Sequence, residues 1–148
     1  MDCNNLRNKN FAICDNHTTF VAKENKREYR LENSLRKKIC KIRLDNGYIT
    51  EENVAKCDFG FLVCDDMYMI LVELKGSDFI HAVEQISSTI QLMNRELENQ
   101  SVSARIVLSK MQLPNIENNP KFLKLKKMIK LKKGNIKYKS RILSENIY

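Results

Sequence analysis

The sequence predicts an α/β domain in which helices flank a mixed central sheet. Three observations predict this class: two adjacent apolar runs with a hairpin pattern, an amphipathic helical segment directly after them, and short strand patterns on either side. Helices that alternate with short strands pack in layers on the faces of a sheet. The chain has 148 residues with only 4 Gly and 2 Pro. We therefore expect one domain over residues 1–148, without an internal linker.

The first part of the chain is predicted to contain one helix and one strand. Residues 21–32 fit a short helix, in which Glu28 and Glu32 share a face at i, i+4. Residues 39–44 alternate apolar and polar side chains, which indicates a half-exposed strand. Asn46-Gly47 then predicts a turn.

The next two apolar runs carry the most informative pattern. Residues 59–64 and 69–72 are separated by a short segment containing Asp65-Asp66, which predicts a hairpin. A two-residue loop there makes the numbers of each cross-strand pair sum to 131, so Asp58 faces Glu73. Facing residues have Cβ atoms only ~4.5–5.5 Å apart. Two carboxylates this close repel each other unless one is protonated or a cation lies between them, and a divalent metal is the favoured interpretation.

The second half of the chain alternates helix and strand patterns. Gly76-Ser77 supplies a break and an N-cap for a helix over residues 78–98, which has an apolar stripe at helical spacing. The remaining predictions are a strand at 104–108, a loop at 114–119, a basic helix at 121–133, a turn at 134–135 and a strand at 136–139.

Positive charge is concentrated near the C-terminal end of the sequence. Residues 121–141 hold ten of the 26 Lys and Arg residues and no acidic residue, which leaves 16 basic against 18 acidic residues elsewhere. A segment of this kind is typical of polyanion binders, although a solvated helix face is the alternative. We expect nucleic acid as the partner and no membrane, because the apolar residues of this segment suffice only to dock it on its own core.

The five cysteines show no C-x-x-C spacing and are odd in number. Neither a disulfide framework nor a zinc finger is therefore predicted, and reduced, mostly buried thiols are expected. No run approaches the ~20 apolar residues of a membrane span, and the first residues lack the features of a signal peptide. These patterns favour a cytoplasmic location.

The acidic residues form a recognisable pattern with their neighbours. Fourteen residues separate Asp58 from Glu73-Leu74-Lys75, and Gly76 and a helix bearing Gln85 follow. This arrangement resembles the PD-(D/E)XK nuclease superfamily, and more narrowly its small, stand-alone bacterial members. The resemblance spans residues 21–108 and implies a restriction-endonuclease-like core with αβββαβ element order. The residue before Asp58 is cysteine rather than proline, which is one departure from the pattern.

The resemblance implies a Mg²⁺-dependent endonuclease, with Mn²⁺ as a possible substitute. Asp58 and Glu73 would be metal ligands, together with the backbone carbonyl of Leu74. Lys75, on the same strand face as Glu73, would reach the attacking water or the charge that develops on phosphate. Mg²⁺ held by carboxylates would neutralise the phosphate and lower the pKa of a bound water. An exposed salt bridge is the structural alternative for an isolated Glu-x-Lys pattern.

Other polar residues have less specific implied roles. Glu32 would be the helix-borne metal ligand found in many members, with Glu28 as the competing choice. Gln85 would orient substrate or water, and His81 and Ser88 share its polar stripe.

The expected function is a nuclease that cleaves DNA, with RNA as a second possible substrate. A binding protein that keeps the fold without activity is the third class, and the intact Asp58, Glu73 and Lys75 argue against it. Lys124, Lys127, Lys130 and Lys133 of the basic helix are the expected contacts to nucleic acid phosphates. A homodimer would let two sites cut two strands.

Overall fold

A six-stranded mixed sheet lies between helices on one face and a three-stranded sheet on the other. The computed structural model describes residues 1–74, 76–110 and 115–147. Its elements in chain order are α1 (Cys3–Leu6), β1 (Ala12–Asp15), β2 (Thr19–Glu24), β3 (Arg27–Glu32), β4 (Ile39–Arg43), β5 (Phe59–Val63), β6 (Tyr68–Leu74), α2 (Phe79–Leu92), β7 (Ser101–Leu108), α3 (Pro120–Leu131), β8 (Ile136–Ser140) and β9 (Ile142–Asn146). A single 3₁₀ turn at Ile116–Asn118 precedes α3.

The large sheet has the strand order β1-β4-β5-β6-β7-β8. Strands β4, β5 and β6 form an antiparallel meander, whereas β6, β7 and β8 are parallel and are connected through α2 and α3. Parallel neighbours require such crossover connections, and helices are the usual ones. The small sheet has the order β2-β3-β9. The predicted mixed α/β class is thus confirmed.

Both faces of β6 are buried, which explains its continuous apolar sequence. Met69 and Leu71 pack in the core beneath α2 and α3, whereas Ile70 and Val72 pack against the small sheet. A strand covered on both faces has no reason to alternate polar residues. Among the described residues, no helix is long and apolar enough to cross a membrane.

The predicted hairpin register is confirmed. Phe59 pairs with Val72, and Val63 pairs with Tyr68, so the numbers of every pair sum to 131. The turn between these strands takes residues 64–67, and Met67 adopts a left-handed φ of 48°. Side-chain burial on both faces fixes this register, because a slip of one residue would exchange the two faces.

The predicted helix at residues 21–32 is wrong. This segment contains most of a β-hairpin, β2–β3, whose turn places Asn25 and Lys26 at φ 45° and 68°. Two consecutive positive φ values are the requirement of a tight type I′ hairpin turn. The apolar residues of this segment recur at period 2 and bury one face of the hairpin on the large sheet. The helix that should open an αβββαβ order is therefore absent from this position.

The helices and strands predicted after residue 76 are present as the predicted type of element, but their first and last residues differ from the prediction. Helix α2 ends at Leu92 rather than residue 98. Its N-cap is Asp78, which accepts a hydrogen bond from the His81 N–H, so the N-cap predicted at Gly76-Ser77 is wrong. The strand predicted at 104–108 begins at Ser101, and α3 is capped by Asn119. The loop predicted at 114–119 contains the 3₁₀ turn, and its first residue lies outside the described part. Strands β1 and β9 were not predicted.

The expectation of reduced cysteines is wrong for four of the five. Cys3 is bonded to Cys64, and Cys14 is bonded to Cys40. Cys57 is a free, buried thiol. The bonded partners are 61 and 26 residues apart, so no local spacing pattern could indicate them.

Candidate active site

Asp58 and Glu73 form an acidic pair at one end of the β5–β6 hairpin. The Asp58 N–H donates to Glu73 Oε2 at 3.0 Å, and the Leu74 N–H donates to Asp58 Oδ2 at 2.9 Å. Each carboxylate therefore accepts a backbone N–H from the opposite strand. The predicted juxtaposition of the two side chains is confirmed, and it continues the hairpin register by one pair.

The acidic pair is open to solvent only on one side. Glu73 has no exposed surface, whereas Asp58 is half-buried. Carboxylate oxygens held side by side are the ligands that hard divalent cations prefer. Asp58 and Glu73 are therefore the residues here that could hold a divalent cation, and Asp58 is the more exposed of the two.

Helix α2 holds the segment that leads into Asp58. The Cys57 N–H donates to Thr89 Oγ1 at 2.8 Å, and Gln85 Nε2 donates to the Lys56 carbonyl at 3.2 Å. The Thr89 hydroxyl in turn donates to the Gln85 carbonyl at 2.7 Å. These bonds fix the backbone just before the acidic pair. Gln85, predicted to orient substrate or water, is thus beside the pair and anchors this segment.

The free thiol of Cys57 is neutral in this environment. Burial raises its pKa well above the ordinary value, and the negative charges of Glu73 and Asp58 raise it further. Hydrogen bonding to Thr89 and to the backbone lowers this pKa in part but does not reverse the direction, so a thiolate is disfavoured. Cys57 is therefore a packing residue rather than a nucleophile.

Arg27 is a neighbour of the site that the sequence did not indicate. Its Nε donates to the Leu74 carbonyl at 3.1 Å, the oxygen that was expected to be a metal ligand. Arg27 begins β3 directly after the Asn25-Lys26 turn. Arg27 was not predicted at the site because these residues were expected to form a helix, and only a hairpin brings this end of β3 to the end of β6. Recognition of Asn25-Lys26 as a turn would have been the signal.

The structure separates Glu32 from the acidic pair. Glu32 ends β3 and accepts a hydrogen bond from Thr19 Oγ1 at 2.9 Å. It lies five residues beyond Arg27, or about 16 Å at ~3.3 Å per residue of strand. Glu28, the competing choice, is next to Arg27, and its carboxylate accepts from Arg30 Nε at 3.2 Å. Neither residue is carried by a helix, so the expected helix-borne ligand is wrong.

Three further predicted residues have different outcomes. Lys75 lies outside the described residues. The backbone of His81 completes the N-cap of α2, and its side chain is exposed. Ser88 is half-buried on α2.

The lysines predicted to hold nucleic acid extend away from the acidic pair. They lie on α3 and the turn after it, and all are exposed: Lys124, Lys127, Lys130 and Lys133. At the end of this segment the Lys132 carbonyl accepts from the Val102 N–H at 3.1 Å. Val102 pairs with Met69, four residues before Glu73, which is about 13 Å along the strand. Lys133 is therefore at the opposite edge of the sheet.

Other cations lie at the same edge as the acidic pair. The Arg141 N–H donates to the Leu108 carbonyl at 2.7 Å, and the Arg141 carbonyl accepts from the Glu28 N–H at 2.8 Å. Lys139 pairs with Val107, which itself pairs with Leu74. The backbones of Arg27, Lys139 and Arg141 thus lie at the same edge of the sheet as the end of β6.

Comparison with known proteins assigns no family to this chain. A scan against protein-family models, a search of curated proteins and a search of solved structures each find no match. Any functional assignment therefore rests on the acidic pair and its surroundings.

Proposed function

We propose that this chain is a divalent-metal-dependent nuclease that hydrolyses phosphodiester bonds, with DNA preferred over RNA as the expected substrate. The observation that carries the proposal is the acidic pair. Asp58 and Glu73 are held side by side by reciprocal backbone hydrogen bonds, with Asp58 half-buried and Glu73 fully buried. Two carboxylates fixed on neighbouring strands in this way are suited to one hard cation.

The order of elements around the pair supports the same proposal. The meander β4–β5–β6, the helix α2 and the parallel strand β7 follow one another as in the βββαβ part of a restriction-endonuclease-like core. The preceding helix of that core has no counterpart at residues 21–32, where β2 and β3 lie. The proposed core is therefore the part from β4 to β7.

Each residue of the site has a distinct proposed role. Asp58 and Glu73 would hold Mg²⁺, or Mn²⁺ in its place, and a bound ion would supply charge neutralisation on the phosphate together with a hydroxide at neutral pH. Lys75 donates to the attacking water or to the charge that develops on phosphate. Gln85 keeps the segment before Asp58 in position through the Lys56 carbonyl.

Positive charge at the site edge supports a polyanionic substrate. Arg27 contacts the Leu74 carbonyl next to the acidic pair, Lys139 and Arg141 lie further along the same edge of the sheet, and the lysines of α3 extend the charge across the domain. Phosphate contacts give affinity that does not depend on sequence. A homodimer with two such edges would suit cleavage of two strands.

The alternative is a catalytically inactive member of the same fold that binds nucleic acid or protein. One observation favours it: backbone N–H groups donate to both carboxylates, which stabilises the pair without an ion. Arg27 also donates to the carbonyl that was expected to be a ligand. Activity measurements separate the two functions.

The test is incubation of the purified chain with linear, circular, branched and single-stranded DNA and with RNA, in Mg²⁺, Mn²⁺ or EDTA. We expect cleavage of at least one substrate with Mg²⁺ or Mn²⁺ and none with EDTA. Asp58→Asn and Glu73→Gln should both abolish it, because each removes one negative ligand.

Asp65→Asn is the matched control, since Asp65 is exposed at the other end of the same hairpin. It should cleave like the unmodified chain. Binding without cleavage under every metal condition, with the variants binding equally well, would support the inactive alternative and reject the nuclease.

A further inference from the structure

Four cysteines from four separate segments converge at one point. Cys3 lies in α1, Cys14 in β1, Cys40 in β4 and Cys64 directly after β5. The Sγ atoms of Cys3, Cys40 and Cys64 lie within 4.8 Å of one another. Cys14 is not part of that group of three, but its Sγ is bonded to Cys40 Sγ at 2.01 Å, so it lies directly next to the group. This cysteine cluster is built by tertiary contacts alone.

We propose that the reduced cysteine cluster is a Zn²⁺ site with four thiolate ligands, and that the two disulfides and the metal are alternative states of it. A tetrahedral Zn²⁺ has Zn–S distances of about 2.3 Å, which separates the sulfurs by about 3.8 Å. The three sulfurs already lie within 4.8 Å of one another, so opening the disulfides leaves room for one ion. A multi-iron cluster would hold its thiolates further apart.

The surroundings of the cysteine cluster suit a charged metal–thiolate centre. Cys3 and Cys40 are buried, whereas Cys14 and Cys64 are half-buried. A cavity of about 370 Å³ borders Cys3 and Cys64 and gives an ion a path to the sulfurs. Lys38 lines this cavity together with Asp2 and Asp65; the ammonium favours thiolate over thiol, and the positive charge of a bound ion would offset the two carboxylates.

The two states differ by a balanced reaction. A dithiol or phosphine reductant supplies four electrons, and with four protons these convert the two disulfides into four thiols. Zn²⁺ then displaces the thiol protons as it binds. Disulfides and bound zinc exclude each other, because a sulfur bonded to sulfur is not a thiolate ligand. This site does not depend on the proposed nuclease function.

The test uses the full chain in its disulfide form and after reduction without oxygen. Zn²⁺ binding is measured by competition with a chromophoric chelator, and Co²⁺ is used as a spectroscopic probe. We expect the reduced chain to bind one equivalent of Zn²⁺ and to give the thiolate charge-transfer and d–d bands of tetrahedral Co²⁺. The disulfide form should bind neither ion at the cluster. Failure of the reduced chain to bind overturns the proposal.

Two variants locate the site. Cys14→Ser should weaken Zn²⁺ binding at least tenfold, whereas Cys57→Ser, which removes the thiol outside the cluster, should leave it unchanged. Equal binding by Cys14→Ser, or loss of binding in Cys57→Ser, would reject the four-cysteine site. If Cys14→Ser does not fold, X-ray absorption spectroscopy of the zinc-bound unmodified chain gives the number of sulfur ligands instead. Four sulfur ligands support the site, and fewer reject it.

Discussion

The two ends of the β5–β6 hairpin are organised by different means. At the open end the acidic pair is held by two backbone-to-carboxylate hydrogen bonds within the hairpin itself. At the turn end Cys64 is bonded to Cys3, 61 residues away, and the Cys14–Cys40 disulfide lies beside it. The juxtaposition of Asp58 and Glu73 is thus specified within the hairpin, with support from α2 and Arg27, whereas the turn end is cross-linked to distant parts of the chain.

Under the proposed function, this difference separates a reactive end from a stabilising end. The acidic pair concentrates negative charge at the sheet edge, which is a feature typical of functional sites. The disulfides restrict the unfolded chain, so they contribute to stability without facing a substrate. Substitutions at the two ends should therefore change different quantities.

The largest expected effect is on stability at the turn end. Cys3→Ser with Cys64→Ser removes a cross-link between residues 61 apart, which the loop-entropy model values at about 4 kcal/mol of unfolding free energy. Chemical denaturation of the oxidised proteins, followed by circular dichroism, measures this. Cys14→Ser with Cys40→Ser is the matched comparison, with residues 26 apart and an expected loss of about 3.5 kcal/mol. An unchanged midpoint in both double variants would remove the stabilising role.

The next effect is on catalysis at the open end. Lys75→Ala should lower the cleavage rate by about 10²–10³, the usual cost of losing one transition-state donor. Stability and nucleic-acid affinity should remain nearly unchanged. Single-turnover cleavage and a binding assay, with exposed Lys9→Ala as the control, measure these quantities. Retained activity would make Lys75 a salt-bridge partner only.

Binding of nucleic acid sharpens the comparison between the two edges of the sheet. Arg27→Gln with Arg141→Gln removes two charges near the acidic pair, and Lys130→Gln with Lys133→Gln removes two toward the other edge. Each lost phosphate contact should flatten the slope of log K against log salt by about 0.9 on duplex DNA. We expect a change of nearly 2 for the first pair and a smaller one for the second.

The full set of four α3 lysines extends this test. Replacing Lys124, Lys127, Lys130 and Lys133 with Gln should weaken binding to all sequences alike without altering the metal requirement. Salt titrations of all three variants on the same duplex make the measurement. An unchanged slope in the fourfold variant would mean that α3 faces away from the substrate.

The smallest expected effect concerns pH and a buried network between the two ends. Burial raises the pKa of Glu145, but hydrogen bonds from Arg105 and Tyr29 outweigh it and hold this pKa below its ordinary value. The ionised carboxylate therefore stabilises the fold above the ordinary glutamate pKa of 4.5, and this contribution is lost as pH falls through the lower folded value.

Glu145→Gln removes that titration. Its unfolding free energy should fall less steeply than that of the unmodified chain as the pH is lowered from 5. Thermal unfolding at a series of pH values measures the difference. Parallel curves for the two proteins would show that Glu145 does not titrate in this window.

The sequence determined the features that depend on neighbouring residues. The hairpin register follows from two apolar runs and the turn between them, and it places Asp58 against Glu73. Helix α2 follows from its apolar stripe and the break at Gly76-Ser77, although its cap at Asp78 and its end at Leu92 do not. Periodicity and turn chemistry act over a few residues, so they can be read directly from the chain.

Tertiary structure decided what depends on distant residues. Residues 21–32 have i, i+4 spacing that fits a helix, but the chance to bury Tyr29 and Leu31 on the large sheet makes them part of a hairpin and brings Arg27 to Leu74. The four clustered cysteines meet only when α1, β1, β4 and the end of β5 are in place. Packing stabilises contacts between elements that are far apart in sequence, and a local sequence pattern does not indicate which elements will be in contact.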